Sequence, residues 1–118
     1  MTSELLHSWE ETNKKGQLTL WIFLSLRDGE KYVDEIKSFI EKISRNTFSC
    51  EEQSIYRSLR KYLHLGIVEF DFKKGNKGPE RKYYKLTELG NDLLDQFIDR
   101  NINLFFEDTV VQLLKKKM

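Results

Sequence analysis

Apolar positions recur along this chain with two different periods, and the change of period places the elements. Leu5, Leu6 and Trp9 mark an amphipathic stretch over residues 3–13. Residues 18–26 are apolar nearly all round, with Leu18, Trp21, Ile22 and Ser25 at helical spacing. That is the pattern of a buried helix, closed by Asp28-Gly29. Tyr32, Val33, Ile36, Phe39, Ile40 and Ile43 then form a one-sided helical stripe opposite Asp34, Glu35, Lys37, Glu41 and Lys42. Arg45-Asn46-Thr47 ends it. Ser49-Cys50-Glu51-Glu52 has the form of a capping box and opens a third helix, which stops at Gly66.

Beyond Gly66 the period becomes two. Val68, Phe70 and Phe72 alternate with Glu69 and Asp71, as in a half-buried strand. A turn-rich loop over residues 73–80 follows. Residues 81–86 alternate again, with Tyr84 and Leu86 on one face and Arg81, Tyr83 and Lys85 on the other. From Glu88 the helical signal returns and runs nearly to the end. The predicted fold is therefore α+β and mostly helical: a winged helix-turn-helix of three helices plus a two-stranded hairpin, with a helix on either flank. One domain is expected over residues 1–118, with the winged-helix core at 16–87, an N-terminal helix at 1–15 and a C-terminal dimerisation helix at 88–118.

Composition closes off several classes. The chain is 39% hydrophobic and 13% aromatic, enough to fill a core, so whole-chain disorder is excluded. Its longest apolar run falls far short of the ~20 residues of a membrane-spanning helix, and no signal-peptide pattern is present. No membrane association is expected. A single cysteine, Cys50, permits neither an intrachain disulfide nor a cysteine-rich metal site and fits a reduced, cytoplasmic setting. Cys50 reads as a small residue at a helix start. His7 and His64 have no partners at ligand spacing, and neither a phosphate-binding glycine loop nor a nucleophile elbow occurs. No catalytic residue, metal ligand or cofactor is expected.

Charge changes the picture more. Residues 53–85 carry nine basic side chains against three acidic ones, a net +6, while the rest of the chain carries −5. Such a concentration is the footprint of a polyanion-binding face. Within the third helix, Ile55, Leu59, Tyr62 and Leu63 share the face turned to the core. The opposite stripe is Gln53, Ser54, Arg57, Ser58 and Lys61, with no acid after Glu52. Amide, hydroxyl and basic groups on a helix of this length suit base edges and phosphates in the major groove. Tyr56 lies between the two faces, where it either packs under the helix or offers its hydroxyl to a phosphate. The hairpin adds Lys73, Lys74, Lys77, Arg81 and Lys82, placed to follow a nucleic-acid backbone. Double-stranded DNA is the expected partner.

These residues also carry a family resemblance. Ser54-Ile55-Tyr56-Arg57-Ser58-Leu59-Arg60-Lys61 resembles the recognition helix of the PadR family of bacterial transcriptional regulators, and Leu65-Gly66-Ile67-Val68 its helix-to-wing junction. The most specific likeness is Gly78-Pro79-Glu80-Arg81-Lys82-Tyr83-Tyr84-Lys85-Leu86-Thr87-Glu88-Leu89-Gly90, which is similar to the family's wing. Together they cover about residues 18–90. Where the family commonly has Gly-Tyr before Glu-x-x, this chain has Val33-Asp34 before Glu35-Ile36. The resemblance implies a dimeric, repressor-like DNA-binding protein whose C-terminal helix supplies the dimer contact.

Surplus apolar surface points the same way. Leu93, Phe97, Leu104 and Val111 form one helical stripe, and Leu94, Ile98, Ile102 and Phe105 a second. A winged helix of this size covers only one of them. The other, with Leu5, Leu6 and Trp9 at the N-terminus, is left for a partner copy. Asn101-Ile102-Asn103 either continues the last helix or breaks it. The expected function is a dimeric transcriptional regulator, a repressor recognising a two-fold operator. Two alternatives are a winged helix that binds only protein, and a regulator whose dimer groove, lined by Trp9, Trp21 and the C-terminal phenylalanines, holds a small aromatic effector.

Overall fold

A computed structural model of the chain describes residues 1–75 and 78–117. Its elements are α1 (Thr2–Lys14), α2 (Leu18–Asp28), α3 (Val33–Ile43), α4 (Glu52–His64), β1 (Val68–Lys74), β2 (Glu80–Leu86), α5 (Glu88–Asn101), a 3-10 turn (Asn103–Phe106) and α6 (Asp108–Lys115). Helices α2, α3 and α4 pack around one core, and the β1–β2 hairpin closes it from the side. Ile22, Ile36, Ile40, Ile55 and Leu59 have no solvent exposure. Each such side chain contributes roughly 1.5–3 kcal/mol by leaving water. The Phe23 and Tyr62 rings meet edge-on with centroids 5.0 Å apart, and the Tyr62 hydroxyl is hydrogen-bonded to Thr19. Buried Ser25 donates to the Ile22 carbonyl at 2.6 Å, so it costs the core no unpaired hydroxyl.

The hairpin is antiparallel, with Val68 opposite Leu86 and Phe70 opposite Tyr84 on its inner face. Its root is wider than two strands. Lys31, between α2 and α3, exchanges both backbone hydrogen bonds with Tyr84, at 3.1 and 2.8 Å. The α2–α3 connector thereby pairs with the outer edge of β2.

One expectation about a helix end changes, and one alternative left open is decided. The capping box at Ser49 does not form: Glu51 is the N-cap of α4, and the Ser54 and Ile55 N–H groups donate to its carbonyl at 3.0 and 3.3 Å. Burial of Phe48 and packing of Cys50 against the core draw the chain inward just ahead of the helix. The reciprocal carboxylate occurs one helix earlier, where Glu35 accepts from the Tyr32 N–H at 3.2 Å. The C-terminal helix is broken. α5 ends at Asn101, whose side-chain amide donates to the Phe97 carbonyl at 3.1 Å, and α6 starts anew at Asp108.

α1 buries none of its residues, and Trp9 stands 73% exposed. The protein extends over 55 × 33 × 25 Å. No helix among the described residues is long and apolar enough to cross a membrane.

Candidate nucleic-acid interface

α4 presents the two faces its sequence implies. Ile55 and Leu59 point inward, while Gln53, Arg57 and Lys61 are exposed and Ser54 and Ser58 half-buried. Arg57, Arg60 and Lys61 are in no ion pair among the described residues. Arg60 is an addition to the sequence-based set. Its spacing three residues after Arg57 carried the signal, since i and i+3 share a helix side. Tyr56 is 46% exposed and lines a cleft of about 370 Å³ between α4, the first turn of α3 and the hairpin. Across that cleft, burial pushes the Tyr84 phenol up, with Tyr56 nearby adding to the shift and Arg60 opposing it.

The wing is less free than its charge count suggests. The Lys73 ammonium donates to the Glu30 carboxylate, which raises its pKa. Arg81 pairs with Asp34 at 3.7 Å and stacks over the Tyr32 ring at 4.4 Å. The Lys82 ammonium lies 4.8 Å from the Phe70 ring centre. Lys85 is shared between Glu69 and Asp71 at 3.6 and 3.7 Å. Lys74 is exposed and in no ion pair among the described residues, and Lys77 falls outside them. Glu30 and Asp34 are the side chains that sequence reasoning passed over. Nothing in a linear pattern brings an acid to a base more than forty residues away. Asp34 also faces Glu52 at the start of α4, and hydrogen bonding between the two carboxyls holds Glu52 above the usual range.

The candidate dimer residues divide. Leu94 is 1% exposed and belongs to the core, so it offers no face to a partner, while Ile98 packs against that core and is half-buried. Ile102 is half-buried. Leu93, Phe97 and Phe105 remain exposed, as do Leu5, Leu6 and Trp9. Between α2 and α5 lies an apolar pocket of about 170 Å³, lined by Leu20, Phe23, Leu93 and Phe97 among others. Trp9 and Trp21 are not part of it. Trp21 packs on Phe48 and donates from Nε1 to Gln17 at 3.2 Å.

Among the described residues no group of three or more His, Cys, Asp or Glu side chains could hold a metal ion. Three helices, the third with a polar outer stripe, followed by a basic hairpin, define a winged helix-turn-helix protein. The pattern of the transcriptional regulator PadR-like family matches residues 22–96, and the chain belongs to that family. A PadR-like transcriptional regulator from Bacillus cereus is 30% identical and superposes with a TM-score of 0.70, over 88% of this chain and 97% of that one. Bacillus subtilis PadR, solved in complex with operator DNA, is 27% identical with a TM-score of 0.62 over 69% of this chain. This chain spans 46% of the B. subtilis protein's length. An uncharacterised protein of Lysinibacillus sphaericus is 25% identical over 84 residues, 71% of this chain and 77% of that one.

Proposed function

We propose that this regulator binds double-stranded DNA as a symmetric dimer and represses transcription from a two-fold operator. The observation that carries the reading is the outer stripe of α4. Gln53, Arg57 and Lys61 project from one side of a rigid helix, with no acid between them and no ion pair among the described residues to neutralise the cations. Such a helix enters the major groove, its basic and amide groups reading base edges, while Lys74 and Lys77 follow the phosphates. The B. subtilis protein crystallised with operator DNA has the same fold and supports this use of it.

Dimerisation rests on α1, α5, the 3-10 turn and α6, whose Trp9, Phe97, Phe106 and Leu113 are exposed apolar side chains that a second copy would cover. Two-fold symmetry sets two recognition helices about 34–36 Å apart, one DNA turn, and selects a palindromic site. Repression follows from occupancy alone, since a dimer seated over a promoter excludes the polymerase. The cytoplasm is where such a protein works.

The experiment is fluorescence anisotropy of the full-length protein on the DNA upstream of its own gene and on a random duplex, over a salt series. Binding to the upstream DNA at least 10³-fold tighter than to the random duplex is expected. Equal affinity for both would remove operator recognition. No binding to either would remove the DNA-binding reading.

A further inference from the structure

We propose that Glu30 and Asp34 restrain the wing electrostatically, competing with DNA phosphates for Lys73 and Arg81 and so holding down the protein's affinity for DNA of any sequence. The inference rests on the DNA-binding reading above. Lys73 and Arg81 stand directly opposite each other across the hairpin. Two like charges in that position repel, and they would favour any nearby anion. In this chain each already has one. Glu30 takes Lys73 and Asp34 takes Arg81, both acids coming from outside the hairpin.

The placement of the two acids is fixed by backbone. Lys31 is paired to Tyr84 on the free edge of β2, so the residue before it and the first turn of α3 after it are held beside the wing. Tyr32 completes the arrangement. Its ring lies under the Arg81 guanidinium and edge-on to Tyr83, with centroids 5.4 Å apart, which keeps the guanidinium turned toward Asp34. A phosphate approaching Lys73 or Arg81 meets a carboxylate already there.

The pairs are partly exposed, with side chains one-third to three-fifths accessible. Exposed pairs of this kind are weak, so they restrain the wing without locking it. The consequence is quantitative. Two of the wing's cations contribute little to counterion release while paired, and sequence-independent binding, which grows with each phosphate neutralised, is held down. A regulator searching a genome full of competing sites gains from that.

The test uses the full-length protein with Glu30→Gln, Asp34→Asn and the double variant, and Asp99→Asn as a charge-matched control at an exposed site on α5. All three substitutions are isosteric, and thermal unfolding checks that each of the four variants folds. Binding to a random duplex is followed between about 50 and 300 mM salt. Each wing variant should bind roughly three- to tenfold tighter at the low-salt end, with the salt slope steeper by about one for each cation released. Asp99→Asn should do neither. In the Glu30→Gln background, Lys73→Ala should cost more affinity than it does in the parent, a coupling that general charge effects do not produce. Unchanged or weaker binding by the double variant, with an unchanged slope, overturns the restraint and leaves the acids as positioning groups. A gain equal to that of Asp99→Asn overturns it too. Failure of the parent to bind any duplex is a separate result, which takes away the DNA-binding reading and this inference with it.

Discussion

Gly90 lies against the backbone carbonyl of Ile67, so close that a Cβ at position 90 would sit 2.2 Å from that oxygen. The contact seats the first turn of α5 on the junction between α4 and β1. Thr87, the N-cap of α5, completes it by accepting from the Gly90 N–H at 3.1 Å and donating to the Gly66 carbonyl at 2.7 Å. Its own N–H donates to the Ile67 carbonyl at 3.0 Å. One turn of helix is thus stitched to the root of the wing.

Gly90→Ala should therefore destabilise the protein by about 1–3 kcal/mol, because the obstructing atom is backbone and cannot rotate away. Thr87→Ala should cost about 1 kcal/mol through the lost cap, and Thr87→Ser much less. Urea unfolding followed by circular dichroism measures all three. A Gly90→Ala midpoint equal to the parent's would mean that α5 can shift without loss.

The elements were legible in the sequence, since each switch of apolar period coincides with a physical switch between helix and strand. Thr87-x-x-Gly90 entered only through the family resemblance, and its cap and close approach are seen in the structure. Three features lay beyond such patterns. The break after Asn101 was one of two courses the Asn101-Ile102-Asn103 step left open, and the side-chain amide of Asn101 on the Phe97 carbonyl marks which is taken. The burial of Leu94 in place of Leu93 depends on the angle that Gly90 allows α5 to take over the hairpin. The partners of Lys73 and Arg81 are set by the Lys31–Tyr84 bridge, which joins segments that no local periodicity links. Charge counting overstated the wing's free cations, because it treated every cation as unpaired.

The acid pair at the start of α4 predicts a pH dependence. Hydrogen bonding with Asp34, then repulsion from its charge, hold the Glu52 carboxyl above its ordinary value. A raised folded pKa stabilises the protein in full below the unfolded value, about 4.3 for glutamate, and that contribution fades as pH rises through the folded value. Melting temperatures measured over about pH 4 to 7 should fall more for the parent than for Glu52→Gln as pH rises. The pair is exposed, so the difference is small. Parallel pH profiles would show that the two carboxyls do not share a proton.

Cys50 should be a slow thiol. Burial pushes its pKa up, Lys37 opposes this and Glu41 adds to it, so little thiolate is present at neutral pH. Alkylation of the native protein should run several-fold slower than that of an unstructured cysteine peptide, and urea should restore the peptide rate. A native rate at or above the peptide's would instead mark Cys50 as a reactive, sensor-type thiol.

The proposed dimer can be separated from the fold by charge. Leu93 and Phe97 are exposed at 42% and 45% and line the pocket between α2 and α5, whereas Leu94 on the same helix is core. Leu93→Glu combined with Phe97→Glu should leave a folded monomer, since neither position is fully buried within one chain. Parent protein should sediment as a dimer at micromolar concentration and the double variant as a monomer with its circular dichroism retained. A monomeric parent would remove the two-fold operator from the proposal.

Arg57 and Lys74 should fail in different ways. Arg57 projects from the middle of α4, where in the proposed complex its guanidinium would reach two acceptors on one guanine edge in a fixed fork. Removing it should cost about 1–3 kcal/mol on the operator and relax preference at a single base position, with a smaller effect on random DNA. Lys74 stands at the tip of β1, exposed and outside any ion pair among the described residues. In the proposed complex its ammonium meets phosphate, which is the same in every sequence, so Lys74→Ala should weaken operator and random duplex alike and lower the salt slope by about one. Lys77→Ala should behave as Lys74→Ala does. Anisotropy on both duplexes, with each base pair of the operator varied in turn, resolves the two patterns. If Arg57→Ala weakened both duplexes equally, α4 would be reading backbone, and the source of sequence preference would have to lie in DNA shape.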